Sequence, residues 1–198
     1  NTDGFITFGV ETGDKPSILS SCVQISSTQD AFAALIKVPD KDNIEMYYKV
    51  VTWGSKIEGA EEIDSDKLAS NVKKVYASIG AFTALFADDT IYTWGSDNYG
   101  GGGTPEGSSP TFLDIKSGHY GFIGIKKNND PSVWAATQYS TGFPNSTVPK
   151  IPDTGTWNAE RVIVTETGVT VLREILENKT EAYSWTTNSA APTSVPLG

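Results

Sequence analysis

Two side chains on which many catalysts and secreted scaffolds depend are nearly absent from this chain of 198 residues. Cys22 is its one cysteine, so no intrachain disulfide can form and a cysteine-rich zinc site is excluded. His119 is its one histidine, which leaves a Ser-His or Cys-His catalyst a single candidate base. Basic residues are also scarce: 15 Lys and Arg stand against 24 Asp and Glu, a formal charge of −9. That field repels phosphate backbones and anionic lipid surfaces, so neither a nucleic-acid partner nor membrane insertion is expected. Long apolar runs are missing too. The longest, from Ala31 to Ile36, falls far short of the ~20 residues a membrane-spanning helix needs. The chain opens neither on Met nor on a basic-then-apolar segment, as expected of a processed or excised polypeptide.

What is abundant is turn and strand chemistry. Thr and Ser supply about a fifth of the chain, beside 19 Gly, and this mixture favours strands and turns over helices. The hydrophobic share of 38% and charged share of 20% belong to a folded globular protein. A chain of this length buries roughly 70% of its unfolded surface, enough for a sizeable core.

The sequence repeats. Five segments end a strand on an aromatic: Phe5-Ile6-Thr7-Phe8-Gly9, Val50-Val51-Thr52-Trp53-Gly54, Ile91-Tyr92-Thr93-Trp94-Gly95, Ser132-Val133-Trp134-Ala135-Ala136 and Ala182-Tyr183-Ser184-Trp185-Thr186. Their second positions recur at steps of 45, 41, 41 and 50. A second element precedes the middle copies, in Ala31-Phe32-Ala33-Ala34-Leu35, Ala81-Phe82-Thr83-Ala84-Leu85 and Gly121-Phe122-Ile123-Gly124-Ile125. Residues 161–165 (Arg-Val-Ile-Val-Thr) read as a weaker fourth copy, although residues 162–165 and 169–172 also fit a hairpin that leaves Tyr183-Ser184-Trp185 as an extra strand. Six residues before each clear copy stands Ile25, Val75 or Ile115.

The unit therefore reads as strand, strand, tight turn, strand. In the clearest copy Ala81 to Phe86 meets Ile91 to Gly95 across Ala87-Asp88-Asp89-Thr90, a good hairpin signal. A further turn after each aromatic closes on Gly13, Gly59, Gly100 or Gly142, where glycine supplies positive φ without steric cost. Residues 38–49 are an insert with an exposed tip at Pro39-Asp40-Lys41-Asp42-Asn43, and residues 61–70 permit a short helix with Ile63 and Leu68 inward.

A unit of Ala-Phe-x-Ala-Leu, an acidic turn and Ile/Val-Tyr/Val-Thr-Trp-Gly resembles the blade repeat of the regulator of chromosome condensation-like β-propellers. It is most similar to the divergent tandem copies in large bacterial and other surface or secreted proteins. The resemblance is good over residues 22–103, fair to 142 and poor beyond. It implies an all-β fold in which each repeat is one small antiparallel blade, and partners that dock on loops of one face. Some members of the family inhibit enzymes and one exchanges guanine nucleotides on a small GTPase. No loop here matches those sites, so none is carried over.

A three-stranded sheet cannot bury both faces alone, and radial stacking would bury Phe32, Phe82, Phe122, Trp53 and Trp94 between neighbours. The whole chain reads as one repeat-built domain, with a half repeat at 1–21 and full repeats near 22–70, 71–113, 114–155 and 156–198. About four and a half units permit a five-bladed ring closed by residues 5–9 pairing with C-terminal strands. They also permit an arc whose open edges are completed by other chains.

Candidate sites are few. Cys22 shares a column with Val72, where a buried small apolar side chain explains it better than a nucleophile does. His119 shares a column with Gln29 and Ile79 and reads as an edge histidine. The pairs Asp40/Asp42, Asp64/Asp66 and Asp88/Asp89 read as turn acids, since none has the ligand spacing and bend glycine of a calcium loop. The run Gly100 to Gly103 lacks a following Lys-Ser/Thr, so it is a connector and not a phosphate loop. Asn145-Ser146-Thr147 and Asn178-Lys179-Thr180 fit the glycosylation pattern if the source is a eukaryotic secretory protein. The best binding candidates follow the Trp strands: Asp97, Asn98 and Tyr99 in one loop, Gln138 and Tyr139 in the next. A Tyr face beside amides and acids suits sugars and protein interfaces alike. Tyr47, Tyr48 and Trp157 are candidates to join them.

The composite expectation is a non-catalytic, extracellular or particle-associated propeller binding a protein or glycan, with no cofactor and no metal. A structural subunit of a homo-oligomer, virion, tail or fibre is the alternative, and a glycan-active enzyme comes third.

Overall fold

A computed structural model of the chain describes residues 21–39, 46–60, 71–102, 111–126, 131–135, 156–164, 168–176, 179–186 and 193–196. Residues 5–9, the insert tip at 40–43, the proposed helix at 61–70, Asn145-Ser146-Thr147, Asn178 of the second glycosylation motif, Gly13, Gly142, Gln138 and Tyr139 lie outside them.

The described residues form antiparallel strands and two short 3-10 turns, with no α-helix among them. The first sheet comprises β1 (Cys22–Ser27), β2 (Ala31–Pro39) and β3 (Met46–Gly54). The second holds β4 (Val72–Ala77), β5 (Ala81–Phe86) and β6 (Ile91–Gly95), and the third holds β7 (Phe112–Ser117), β8 (Gly121–Lys126) and β9 (Pro131–Ala135). The register repeats with the sequence. Phe32 pairs with Trp53, Phe82 with Trp94 and Phe122 with Trp134. Each first strand also carries a bulge at the same place, where Val23, Lys73 and Leu113 are skipped by the ladder.

The middle strands are apolar at nearly every position because both their faces are covered. Period two sends Ala31, Ala33 and Leu35 to one side, where they pack on Val72, Val75, Phe82, Ala84 and Trp94 of the second sheet. In the same way Ala81 and Leu85 meet Phe112, Ile115 and Phe122 of the third. Each junction thus sets small side chains of one sheet against large ones of the next, which keeps the packing close. The expected burial of the repeat aromatics holds for Trp53, Phe82, Trp94 and Phe122, but Phe32 is only half-buried. The reason lies in its neighbours. Val75 is 1% exposed beneath the first sheet, whereas its counterpart Ile25, on the same side as Phe32, is 41% exposed.

The final repeat corrects the expected frame. β10 (Thr156–Val164), β11 (Gly168–Leu176), β12 (Lys179–Thr186) and β13 (Thr193–Pro196) form one four-stranded sheet in that order. Val162 pairs with Val171 as Ile25 does with Ala34, and Val169 pairs with Trp185 as Phe82 does with Trp94. Residues 161–164 are therefore part of a first strand and not the fourth copy of the middle strand; Gly168-Val169-Thr170-Val171-Leu172 is that copy. Both hairpins exist because β11 belongs to each, and the strand of Trp185 is the ordinary third strand. Valine stands where three sheets carry phenylalanine, which hid the match. The added strand β13 occupies the position beside β12.

First strands of successive sheets lie side by side, β1 with β4, β4 with β7 and β7 with β10. Polar side chains stitch them together. The Gln24 amide nitrogen donates to the Val75 carbonyl, and its oxygen accepts from the Val75 N–H at 3.2 Å. The Tyr76 hydroxyl donates to Asp114 Oδ1, whose other oxygen receives Lys116 Nζ at 2.8 Å. Lys74 Nζ lies 4.8 Å from the Tyr76 ring centre. Burial and then the Asp114 hydrogen bond push the Tyr76 hydroxyl far above the usual phenol range. Burial likewise raises the Asp114 carboxyl, but hydrogen bonds from Lys116 and Tyr76 outweigh it and leave the group below the usual carboxylate range.

Candidate functional site

In a three-stranded meander the first strand runs toward the turn that joins it to the second, the second away and the third back. That turn (residues 28–30, 78–80 and 118–120) is called the tight turn from here on, and is distinct from the acidic turn at 87–90. The loop after each Trp strand must therefore emerge beside the tight turn of its own sheet. Backbone hydrogen bonds show the two together: Ser55 N–H donates to Asp30 O at 2.8 Å, and Ser96 N–H to Gly80 O at 2.9 Å. The tight turns also join sheet to sheet. Gln29 N–H donates to Ile79 O at 2.8 Å and Ile79 N–H to His119 O at 3.2 Å, so the column of His119 is a chain of backbone links across three sheets.

Each turn is closed by a hydroxyl where one is present. Thr28 Oγ1 accepts from Ala31 N–H at 2.9 Å, and Ser78 Oγ from Ala81 N–H at 3.1 Å. The post-Trp loops are single 3-10 turns, Lys56–Glu58 and Asp97–Tyr99, each ended by a glycine in the left-handed region, Gly59 at φ 104° and Gly100 at φ 93°. Gly59 must be glycine for a second reason. A Cβ there would stand 2.7 Å from the Phe82 ring, and its carbonyl accepts the Trp94 indole N–H at 3.0 Å. Each loop thus seats on the next sheet's core and is held rigidly at its root.

The two equivalent loops are pinned differently. In the first, Glu58 Oε2 accepts from the Asp30 N–H at 2.8 Å and from Thr28 Oγ1 at 3.2 Å. In the second, Tyr99 replaces Glu58, and its ring lies over Gly80, where a Cβ would stand 2.4 Å away. The Tyr99 carbonyl accepts from Ser78 Oγ at 2.8 Å. Tyr99 then stacks on Tyr120 of the third sheet, with ring centres 6.1 Å apart and planes 10° from parallel, and His119 meets Tyr120 edge-on at 4.5 Å. Asp97 and Asn98 are exposed beside this shelf.

Of the residues singled out from the sequence, Asp97, Asn98 and Tyr99 are brought together here, while Gln138 and Tyr139 lie outside the described residues. Tyr47, Tyr48 and Trp157 do not join them. Tyr47 and Tyr48 pair with Val38 and Lys37 on a hairpin extension at the opposite end, and Trp157 stands near the start of β10, also at that end. Asp88 and Asp89 lie there too. Asp88 Oδ1 accepts from Thr90 Oγ1 at 2.6 Å and from its N–H at 3.0 Å, bonds that hold the Asp88 carboxyl below the ordinary range. Asp89 takes φ 68° and its carbonyl accepts the Phe112 N–H at 2.7 Å, so both acids have turn-building duties. Cys22 begins β1 and His119 follows β7, which puts them at opposite ends of their sheets. Burial also pushes the Cys22 thiol up, away from the reactive thiolate.

Sequence reasoning missed Tyr120, the neighbour of Tyr99, and Ile57, which stands 79% exposed at the tip of the first 3-10 turn. The signal for Tyr120 was the parity of the meander, which places tight turns and post-Trp loops together. Ile57 had none, since an isoleucine in a short turn reads as core until the turn is built.

Repeated three-stranded sheets stacked face to face, with first strands innermost and loops gathered at one end, define a β-propeller. No family model matches the chain, and no curated protein does. Solved structures do. The ectodomain of the Physcomitrella patens receptor kinase CR4 aligns over 89% of this chain and 43% of its own, at 17% identity and a TM-score of 0.59. The CRINKLY WD40 ectodomain of the Arabidopsis thaliana receptor kinase ACR4 aligns over 100% of this chain and 70% of its own, at 16% identity and a TM-score of 0.57. Yeast RCC1 (Prp20), solved bound to Kap60, aligns over 83% of this chain and 43% of its own, at 14% identity and a TM-score of 0.53. The chain therefore spans less than half the length of two of these propellers. At such identities the likeness is one of fold, and it is to RCC1-like propellers, as the repeat motif implied.

Proposed function

We propose that this chain is a non-catalytic β-propeller domain that binds a macromolecular partner, protein or glycan, through its tight-turn end, and that it works outside the cell or on a particle surface. One observation carries the reading: equivalent loops from successive sheets are locked at their roots by the core yet present exposed, unlike side chains at their tips. A rigid scaffold with variable tips is how loop-bearing folds recognise partners. The neighbours support it, since two are receptor ectodomains and a third was solved with a protein bound. The separation of Cys22 from His119 and the raised thiol support a non-enzymatic role. All 198 residues are read as one repeat-built domain.

A photo-crosslinking residue placed at Asn98 tests this, with a matched one at Leu113 on the opposite end. Extract from the source and a printed glycan array are the two partner pools. Adducts or sugar binding that depend on the Asn98 end, and not on Leu113, are the expected result. Blank results from both pools, or adducts confined to Leu113, would refute it.

A further inference from the structure

We propose that the tight-turn end recognises a basic polypeptide segment bearing a large apolar residue, with Ile57 as the apolar anchor and the acid-rimmed Tyr99–Tyr120 shelf receiving the cation. The inference rests on the reading above that this end is the docking face, and it narrows the partner to one chemistry.

Ile57 is the first argument. An isoleucine that stays 79% exposed loses its hydration cost only when something covers it. Its turn is also held from three sides. Ser55 N–H bonds Asp30 O at 2.8 Å, Ala60 N–H bonds Ser55 O at 3.0 Å, and Glu58 clamps the tight turn through Asp30 and Thr28. A preorganised apolar tip gives up little entropy on binding, which is the character of an interface anchor.

The shelf is the second. Tyr99 cannot retreat, because Gly80 and Tyr120 hold its two sides. What the pair leaves open to solvent, both rings being half-buried and neither sealed, suits a Lys or Arg side chain. Charge is the third. The turns and loops at this end carry three acids, Asp30, Glu58 and Asp97, against one cation, Lys56, among the described residues, on a chain of net charge −9. A basic partner is drawn in and an acidic one is repelled. The anchor and the shelf adjoin, since the Glu58 carbonyl lies 3.3 Å from where a Gly95 Cβ would stand, at the root of the Asp97–Tyr99 loop. A sugar would use the tyrosines but gain nothing from Ile57, which favours polypeptide over glycan.

The test is selection of random peptides displayed on phage against the intact protein, followed by affinity measurement on Ile57→Asp, Asp97→Lys and the control Leu113→Asp. Leu113 is likewise exposed, at the opposite end. The expected winners pair Lys or Arg with a large aliphatic or aromatic residue. Their affinity should fall roughly tenfold or more in each of the first two variants and stay level in the third. Binding should also weaken at high salt. Unchanged thermal melting of Ile57→Asp separates lost contact from lost fold. Winners that are acidic, or that crosslink at the Asn98 end yet are indifferent to Ile57 and Asp97, overturn this inference and leave the docking face standing. Winners lost only on Leu113→Asp overturn the docking face itself. No winners, with or without glycan binding, overturns the basic-polypeptide assignment.

Discussion

Phe32 and Phe82 hold the same place in successive repeats, and replacing each by alanine separates pairing within a sheet from stacking between sheets. Their in-sheet contacts match: each ring stacks on its Trp partner at 5.3 Å, with planes 14° and 24° apart. Their surroundings do not. Phe82 is 0% exposed, covered by Ala31, Ala33 and Leu35 of the sheet before it and by Gly59. Phe32 is half-buried. Truncating a fully buried phenylalanine costs about 3–5 kcal/mol through lost transfer energy and the cavity left behind. For Phe32 part of the ring already meets water, and the space it leaves can refill with solvent, so a smaller cost of about 1.5–2.5 kcal/mol is expected. Urea unfolding followed by tryptophan fluorescence reads the difference as a midpoint shift for Phe82→Ala about twice that for Phe32→Ala, at equal slope. Equal shifts would refute the reasoning, because they would assign the aromatics' contribution to cross-strand pairing and none of it to the neighbouring sheet.

Gly59→Ala should destabilise by about 2–4 kcal/mol, from a Cβ set 2.7 Å from Phe82 and from backbone at φ 104°, checked by thermal melting. Thr83→Val should stabilise by about 1 kcal/mol in the same assay, since Thr83 Oγ1 is buried without a hydrogen-bond partner and a methyl would fill its space. The Tyr76 hydroxyl, raised by burial and by Asp114, contributes stability that is present below the ordinary phenol range and lost as pH rises beyond it. Alkaline titration at 295 nm should therefore show one tyrosine ionising only with unfolding, and Tyr76→Phe should remove that phase. Asp114, depressed overall, contributes stability present above the usual carboxylate range and lost as pH falls through its lower folded value. Asp114→Asn should flatten the acid limb of the stability profile, measured by urea midpoints between pH 2 and 5 (roughly the carboxylate range).

Most of the fold was legible in the residues. The bounds of β5 and β6 and the glycine ends of the post-Trp loops follow from local chemistry: alternating apolar residues, an Asp-rich turn that tolerates φ 68°, and positions only glycine fills. The last sheet was framed one strand out of step because Val169 replaces the phenylalanine, and periodicity alone cannot rank two overlapping hairpins that share β11. At the candidate site the sequence pointed to Asp97, Asn98 and Tyr99, but it also grouped them with Tyr47, Tyr48 and Trp157, which stand at the other end. Aromatic content identifies candidates; strand direction sorts them.

The order of residues determined the repeat, the register within each sheet and which side chains face inward, since these depend on spacing of two and on turns a few residues long. Only the stacked structure decided that Phe82 is sealed while Phe32 is half open, that Tyr99 finds Tyr120 and that Ile57 is left bare. Those outcomes depend on which sheet lies against which, a contact between residues tens of positions apart that no local pattern records.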